Sequence, residues 1–296
     1  MISYDSLQEL ADEASGKGKR ISALVLEQQS RQSGRSKRDL VLEMSGRLLV
    51  MEEAVKAGMS SSGKSPSGLS GGDAAKLEHA MEAGALLGGK ALNRVIVKAL
   101  AVSEVNACMG KIVAAPTAGS CGIIPAVLLS AGEERKIPRA RIVGSLFTSG
   151  AIGMVIARRA CISGAGGGCQ AECGSASAMA AGALVELMGG APEMVAHACA
   201  IALKAVMGLI CDPVAGLVEV PCIKRNAMGA AEAMVAANLA LAGVESAIPA
   251  DEVIDAMRSV GNAMPPCFRE TAEGGLAVSP TGLKIKKRIF GRSGTL

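Results

Sequence analysis

Apolar residues recur at three- and four-residue spacing along most of the chain, and no succession of alternating Val, Ile and Thr runs interrupts them. The pattern predicts an all-helical (all-α) protein. Ile21 to Gln29 and Lys37 to Ala57 read as exposed amphipathic helices, the second carrying Leu40, Met44, Leu48 and Met51 on one stripe with Arg and Glu opposite. A Pro/Gly/Ser loop over Ser65 to Gly72 leads to Asp73, whose side chain suits an N-cap, and to a helix reaching Leu86. Further helices are predicted at Ala91 to Met109, Ile123 to Ala131, Arg141 to Cys161, Ser175 to Met188, Pro192 to Met207, Asn226 to Ala242 and Ala250 to Val260. All are rich in Ala and Gly; pairs such as Gly150 with Gly153 and Gly182 with Ala183 predict helices packed tightly in an interior. No clear linker falls inside 60–275. The expected organisation is a helical N-terminal extension over 1–59, packed on one large helical domain over 60–296.

Composition narrows the function classes. Half of the 296 residues are hydrophobic, yet there is no Trp, one Tyr and three Phe, which counts against an aromatic-stacking nucleic-acid platform and against an aromatic-girdled membrane protein. The net charge is +4, with the basic excess at Lys17 to Arg20, Arg31 to Arg38 and Lys284 to Arg292, where exposed ends are expected to be solvated. The first residues, MISYDSLQELADEAS, carry early acids and no apolar run, so no signal peptide is read there. The longest uncharged run, Ile142 to Ala157, is shorter than the ~20 residues a bilayer crossing needs and reads as a buried helix. A cytoplasmic protein is expected, with no membrane and no nucleic acid among its partners. Nine cysteines without a secretion signal are then expected to stay reduced, and an odd number cannot pair completely.

Gly58 to Ser65 reads GMSSSGKS and matches the phosphate-cradling pattern G-x-x-x-x-G-K-S. That pattern works when a strand enters the loop and a helix begins at the Lys, so that backbone N–H groups converge on phosphate. Here LLVMEEAVKA upstream is helical and Pro66 with SGLSGG follows, so nucleotide binding is rejected; Lys64 is expected to meet a carboxylate or solvent.

The irregular segments PTAGSCG (116–122), GAGGGCQAECG (164–174) and CDPVAGLVEVPCIKRN (211–226) stand out between the helices, with glycine allowing backbone to approach a ligand. Cys108, Cys161 and Cys199 lie in apolar helical text and read as small core hydrophobes, and Cys267 as structural. Cys169, Cys211 and Cys222 sit instead beside Gly or Pro. Three thiolates suit an iron-sulfur cluster with one iron left open, which is what a Lewis-acid catalyst needs. The spacing fits no short ferredoxin or zinc-finger pattern, and Cys173 and Cys121 compete as ligands.

The blocks AAPTAGSCGIIP (114–125), GGCQAECGSASAM (167–179), CDPVAGLVEVPCIKRNAM (211–228) and SGLSGGDAAKL (67–77) resemble the alpha chain of the iron-sulfur-dependent bacterial L-serine dehydratases, over nearly the whole chain. The resemblance implies an all-helical domain with Gly-rich loops around a 4Fe-4S cluster held by Cys169, Cys211 and Cys222, with Cys173 and Cys121 as nearby thiols. It implies L-serine as substrate and pyruvate and ammonia as products, formed without pyridoxal phosphate. The open iron would stabilise the departing hydroxide. Ser65, Ser67, Gly68, Ser70, Gly71 and Gly72 in one loop, Thr117, Gly119 and Ser120 in another, and Asn106 at a helix end are candidate substrate contacts, although exposed turns and local caps share that composition. Asp212 and Asn226 flank ligand cysteines and read as supporting groups or turn formers.

No catalytic base is apparent. His79 and His197 are the chain's two histidines, and both lie in helical text as packing residues. In the resembled family a Ser-His-Thr histidine belongs to a beta region, and this sequence has no Ser-His-Thr, so a beta subunit is the expected partner in a heterodimer. The chain ends KKRIFGRSGTL, so capping of the open iron by a terminal cysteine is expected to be absent. A threonine dehydratase, a cysteine desulfidase, or a non-catalytic iron-sulfur scaffold or redox sensor remain the alternatives.

Overall fold

Every residue from Ser175 to Leu187 is buried, enclosed by the helices over Ile123–Glu134, Arg139–Arg159, Pro192–Ala205 and Cys222–Leu241. The computed structural model describes residues 4–61 and 63–291; the first three residues, Ser62 and the last five of the C-terminal tail lie outside the described residues. Thirteen helices are present among them: α1 Leu7–Gly16, α2 Ile21–Ser33, α3 Lys37–Ser60, α4 Asp73–Glu82, α5 Gly89–Ala107, α6 Ile123–Glu134, α7 Arg139–Arg159, the short α8 Gly164–Gly167, α9 Ser175–Leu187, α10 Pro192–Ala205, α11 Cys222–Leu241, α12 Ala250–Ala263 and α13 Pro280–Phe290. No strand forms among the described residues; one isolated bridge joins Cys211 to Arg269. The all-α expectation holds.

Small residues set how closely these helices approach, because an added methyl group has nowhere to go. A Cβ on Gly182 of α9 would lie 2.5 Å from Ile152 of α7 and 2.9 Å from Cys199 of α10, and one on Gly153 would lie 2.7 Å from Met179. Gly150, by contrast, faces open space. Gly58 of α3 sits against the Ala101 backbone of α5. The α3 stripe is as the periodicity predicts: Leu40, Leu48 and Met51 are buried and Met44 is half-buried. α7 is apolar and long enough to cross a membrane, but 67% of its most apolar window is buried inside the protein.

Several boundaries differ from the sequence reading. α4 ends at Glu82, and its N-cap is Gly72 rather than Asp73, because Glu104 of α5 reaches across to accept from Asp73 N (2.7 Å) and Ala74 N. α11 starts at Cys222, four residues early. α1, α13 and the helical turns at 164–174 were not anticipated. Of the basic ends, Lys17, Lys19, Arg35 and Lys37 form surface ion pairs with Glu13, Glu27 and Glu43.

Glu232 of α11 is a carboxylate whose two oxygens are buried without a hydrogen-bond partner, and burial pushes its pKa up to about 8. The folded state therefore keeps a proton that the unfolded chain has lost above the ordinary carboxylate range. Its contribution to stability declines as pH rises from about 4.5 to about 8. In Glu232→Gln that part of the decline should vanish, leaving the variant more stable than the parent at pH 8 by on the order of 2 kcal/mol. Urea melts across pH 5 to 8 would show it; parallel curves for the two proteins would refute it.

Candidate functional site

Four cysteines from three segments come together at one end of α9 and α11. Gly168 adopts φ +77°, and a Cβ there would lie 2.7 Å from the Met264 side chain and 2.8 Å from the Leu209 carbonyl. The chain can therefore turn there only as glycine, delivering Cys169 to the start of a π-helical turn over Gln170–Gly174. That turn carries Cys173 as well, placing its Sγ 3.3 Å from Cys169 Sγ. Cys211 is fixed by the bridge, its N–H donating to Phe268 O (2.8 Å) and its carbonyl accepting from Glu270 N (2.9 Å). Cys222 is the first residue of α11, so it lies in a helix rather than a loop. All four thiols are free and at most 4% exposed.

Their electrostatics are those of crowded sulfur. Burial first, and then repulsion from Cys169, pushes the Cys222 thiol up to about 12; the same two causes, with Glu270 and Cys222 added, raise Cys211 further. Cys169 goes the other way, because the hydrogen bond with Cys173 and the charge of Arg225 favour its thiolate, while Cys173 keeps its proton. Burial opposes the Arg225 charge, but Cys169 and Asp212 offset it and raise its pKa. Arg225 also donates to Asp212 Oδ1 (2.9 Å) and to the Ile210 carbonyl, and Asp212 Oδ2 accepts from Leu276 N (2.8 Å). Asp212 thus anchors the cysteine segment to the C-terminal turns.

Among the described residues, the cysteine and carboxylate atoms lying within 4.8 Å of one another belong to Cys169, Glu172 and Cys173. Cys211 and Cys222 share this electrostatic neighbourhood without joining that close group. Burial raises the Glu172 carboxyl, and the Thr117 hydroxyl donates to it. Thr117 and Ser120 hydroxyls lie 3.0 Å apart, and a Cβ on Gly119 would lie 2.6 Å from the Glu172 carboxylate, so the 116–122 loop sits on this acid. Asn226 ties the same loop to α11: its Oδ1 accepts from Gly122 N (2.9 Å) and its Nδ2 donates to the carbonyls of Gly119 (2.6 Å) and Cys222 (3.0 Å). Asn106 donates to the Ala118 carbonyl at 3.2 Å. Cys121 is buried nearby, its thiol pushed up to about 12 by burial.

The serine loop is held differently. Ser65 and Ser67 hydroxyls donate to the two oxygens of Glu219 (2.6 and 2.7 Å), and Ser70 donates to it as well. Gly68, Gly71 and Gly72 all have positive φ in the turn between them and α4. Lys64 donates to the Gly71 carbonyl (2.8 Å), not to a carboxylate, and α3 rather than a strand precedes it. Neither histidine lies on a segment that carries Cys169, Cys173, Cys211 or Cys222: His79 is exposed on α4, and His197 of α10 accepts at Nδ1 from Ser246 N (3.1 Å). Cys199 is fully buried in α10, whereas Cys108, Cys161 and Cys267 are half-buried at helix ends and turns. Glu172, Glu219, Arg225 and Glu270 were not singled out from sequence, although the first three lie inside the blocks quoted above.

Fold and site together define an all-helical protein with a buried thiol and carboxylate centre, walled by loops rich in Gly and Ser. A profile of the family described as "Serine dehydratase alpha chain" matches residues 16–277. The chain is 50% identical over 288 residues to the "Probable L-serine dehydratase, alpha chain" of Bacillus subtilis, covering 97% of this chain and 96% of that one. It is 44% identical over 283 residues to the "L-serine dehydratase, alpha chain" of Peptoniphilus asaccharolyticus, covering 96% and 97%. It is also 41% identical over 288 residues to the "L-serine dehydratase" of Streptomyces coelicolor, covering 93% of this chain but 60% of that longer protein. The chain belongs to the serine dehydratase alpha-chain family.

Proposed function

We propose that this chain is the alpha subunit of an L-serine dehydratase, a lyase that converts L-serine to pyruvate and ammonia without pyridoxal phosphate and works with a beta subunit in the cytoplasm. The observation that carries the reading is the gathering of Cys169, Cys211 and Cys222, buried and unpaired, in a chain related over almost all its length to L-serine dehydratase alpha chains. The donor set fits a 4Fe-4S cluster: sulfur ligands suit iron-sulfur centres, and thiolates that burial and mutual repulsion make costly in the bare protein become favourable around a multivalent cation. When bound, such a cluster supplies a Lewis acid for a leaving hydroxyl.

The chain's own residues bind and orient. Asn226 fixes the spacing between the 116–122 loop and the helix that begins at Cys222. Glu172 holds that loop through Thr117 from the turn that carries Cys169. Arg225 places positive charge beside Cys169, favouring the thiolate that a metal requires. Thr117, Gly119, Ser120 and Asn106 on one side, and Ser67, Gly68, Ser70, Gly71 and Gly72 on the other, are the contacts we assign to substrate. The base that takes the α proton is assigned to the beta subunit, since neither histidine lies on a segment that carries Cys169, Cys211 or Cys222.

The test is anaerobic purification with and without the beta chain, assaying pyruvate from L-serine alongside iron and sulfide content. Pyruvate that requires both chains and is lost in air together with the cluster is the expected result. A full cluster without turnover of serine would overturn the dehydratase reading.

A further inference from the structure

Three hydroxyls from one loop converge on one carboxylate. Ser65 and Ser70 are buried, Ser67 is half-buried, and Glu219 is 6% exposed. A hydroxyl has a single hydrogen; with it given to Glu219, each serine has only lone pairs left for a ligand. Glu104 occupies the N-terminus of α4 just beyond the loop. The loop composition suggests a cradle for an anion, but with two buried carboxylates already there, a substrate carboxylate would meet repulsion and a cation attraction.

Glu219 also lacks a cationic partner: among the described residues, no Lys, Arg or His nitrogen pairs with it, and the neighbouring Lys64 is engaged with the Gly71 carbonyl. A buried carboxylate held by neutral donors alone has no opposite charge beside it in a poorly solvated place, which favours the arrival of one. Its position suits such a visitor. The Glu219 carbonyl accepts from Ile223 N (3.0 Å), so Glu219 lies on the turn that begins α11 and brings in Cys222.

From this geometry we infer that Glu219, aimed by Ser65, Ser67 and Ser70, is the counter-charge for the substrate ammonium and makes the site select an α-amino acid over its α-hydroxy analogue. The inference rests on the dehydratase reading. A purely mechanical latch, pinning the serine loop to the cysteine segment, would weaken binding of both analogues alike.

The experiment compares wild type with Glu219→Gln in the anaerobically assembled two-chain enzyme, measuring KM for L-serine and the competitive inhibition constant of L-glycerate. Loss of a buried charge pair is expected to raise KM for L-serine by about 30-fold or more, while the L-glycerate constant moves by less than about 3-fold. Equal weakening of both, or no change in either, overturns the assignment. If the Gln variant does not fold, Glu219→Asp keeps the charge and shortens its reach, and serine should again suffer more than glycerate; parallel losses overturn the inference. Failure of the wild type to form pyruvate would strike the dehydratase reading itself, before any variant is compared.

Discussion

Replacing Cys222 by alanine is expected to leave anaerobically prepared protein with less than a full complement of iron and sulfide, and to take pyruvate formation below detection. Cys211→Ala and Cys169→Ala should behave alike, because a cluster held by three thiolates has no spare protein ligand. The bare protein should not suffer in the same way. Cys222 is a neutral thiol there, since burial pushes it up to about 12, and its loss removes one sulfur atom and no charge, so the melting temperature of the metal-free variant should fall only modestly below that of the metal-free parent. Cys199→Ala is a control, since that thiol lies fully buried in α10, packed against α9, where it donates to the Ala178 carbonyl. Cys173→Ala decides between ligand sets. Its Sγ is 3.3 Å from that of Cys169, closer than any sequence spacing foretells. Retained iron after its loss supports Cys169, Cys211 and Cys222. Iron lost with Cys173 but retained without Cys222 would sink that set.

The fold was largely legible because the signal that makes a helix here is local. Leu40, Leu48 and Met51 recur on one face of α3, and the Ala and Gly text of α9 to α11 predicts the close approach seen at Gly153 and Gly182. Where helices start was less legible. The capping of α4 comes from Glu104, some 30 residues later in the chain, and no residue near Asp73 announces it. α13 is short and has just Gly282 buried; its basic run reads as a solvated end, which hides the helical spacing of its apolar residues.

The site divides along the same line. Thiols beside Gly and Pro are visible in a sequence, but what they face is not. Thr117 meets Glu172 across 55 residues, and Ser67 meets Glu219 across 152. The π-helical turn that brings Cys173 back over Cys169 also breaks the 3.6-residue periodicity on which the sequence reading depends. Carboxylates were therefore the residues overlooked: each is defined by donors from elsewhere in the chain.

Asn226 joins these distant segments, and its replacement should have the second-largest effect. The side chain is 1% exposed and makes three hydrogen bonds, to Gly122 N, to the Gly119 carbonyl and to the Cys222 carbonyl. In Asn226→Ala the two buried loop partners lose their amide, and unmet buried polar groups cost about 1–3 kcal/mol each. A destabilisation of about 3 kcal/mol is expected, with the 116–122 loop released from the helix that begins at Cys222. Asn226→Asp is the sharper test, because it keeps the volume and the acceptor toward Gly122 N but exchanges the donating NH2 for an oxygen facing two carbonyls. If the amide serves by direction rather than bulk, Asp should be at least as damaging as Ala in a denaturant melt, and both should lower kcat/KM for L-serine by more than 10-fold. An Asp variant as stable and active as the parent would mean that the loop is positioned by its packing against Glu172 instead, and that Asn226 merely fills space between them.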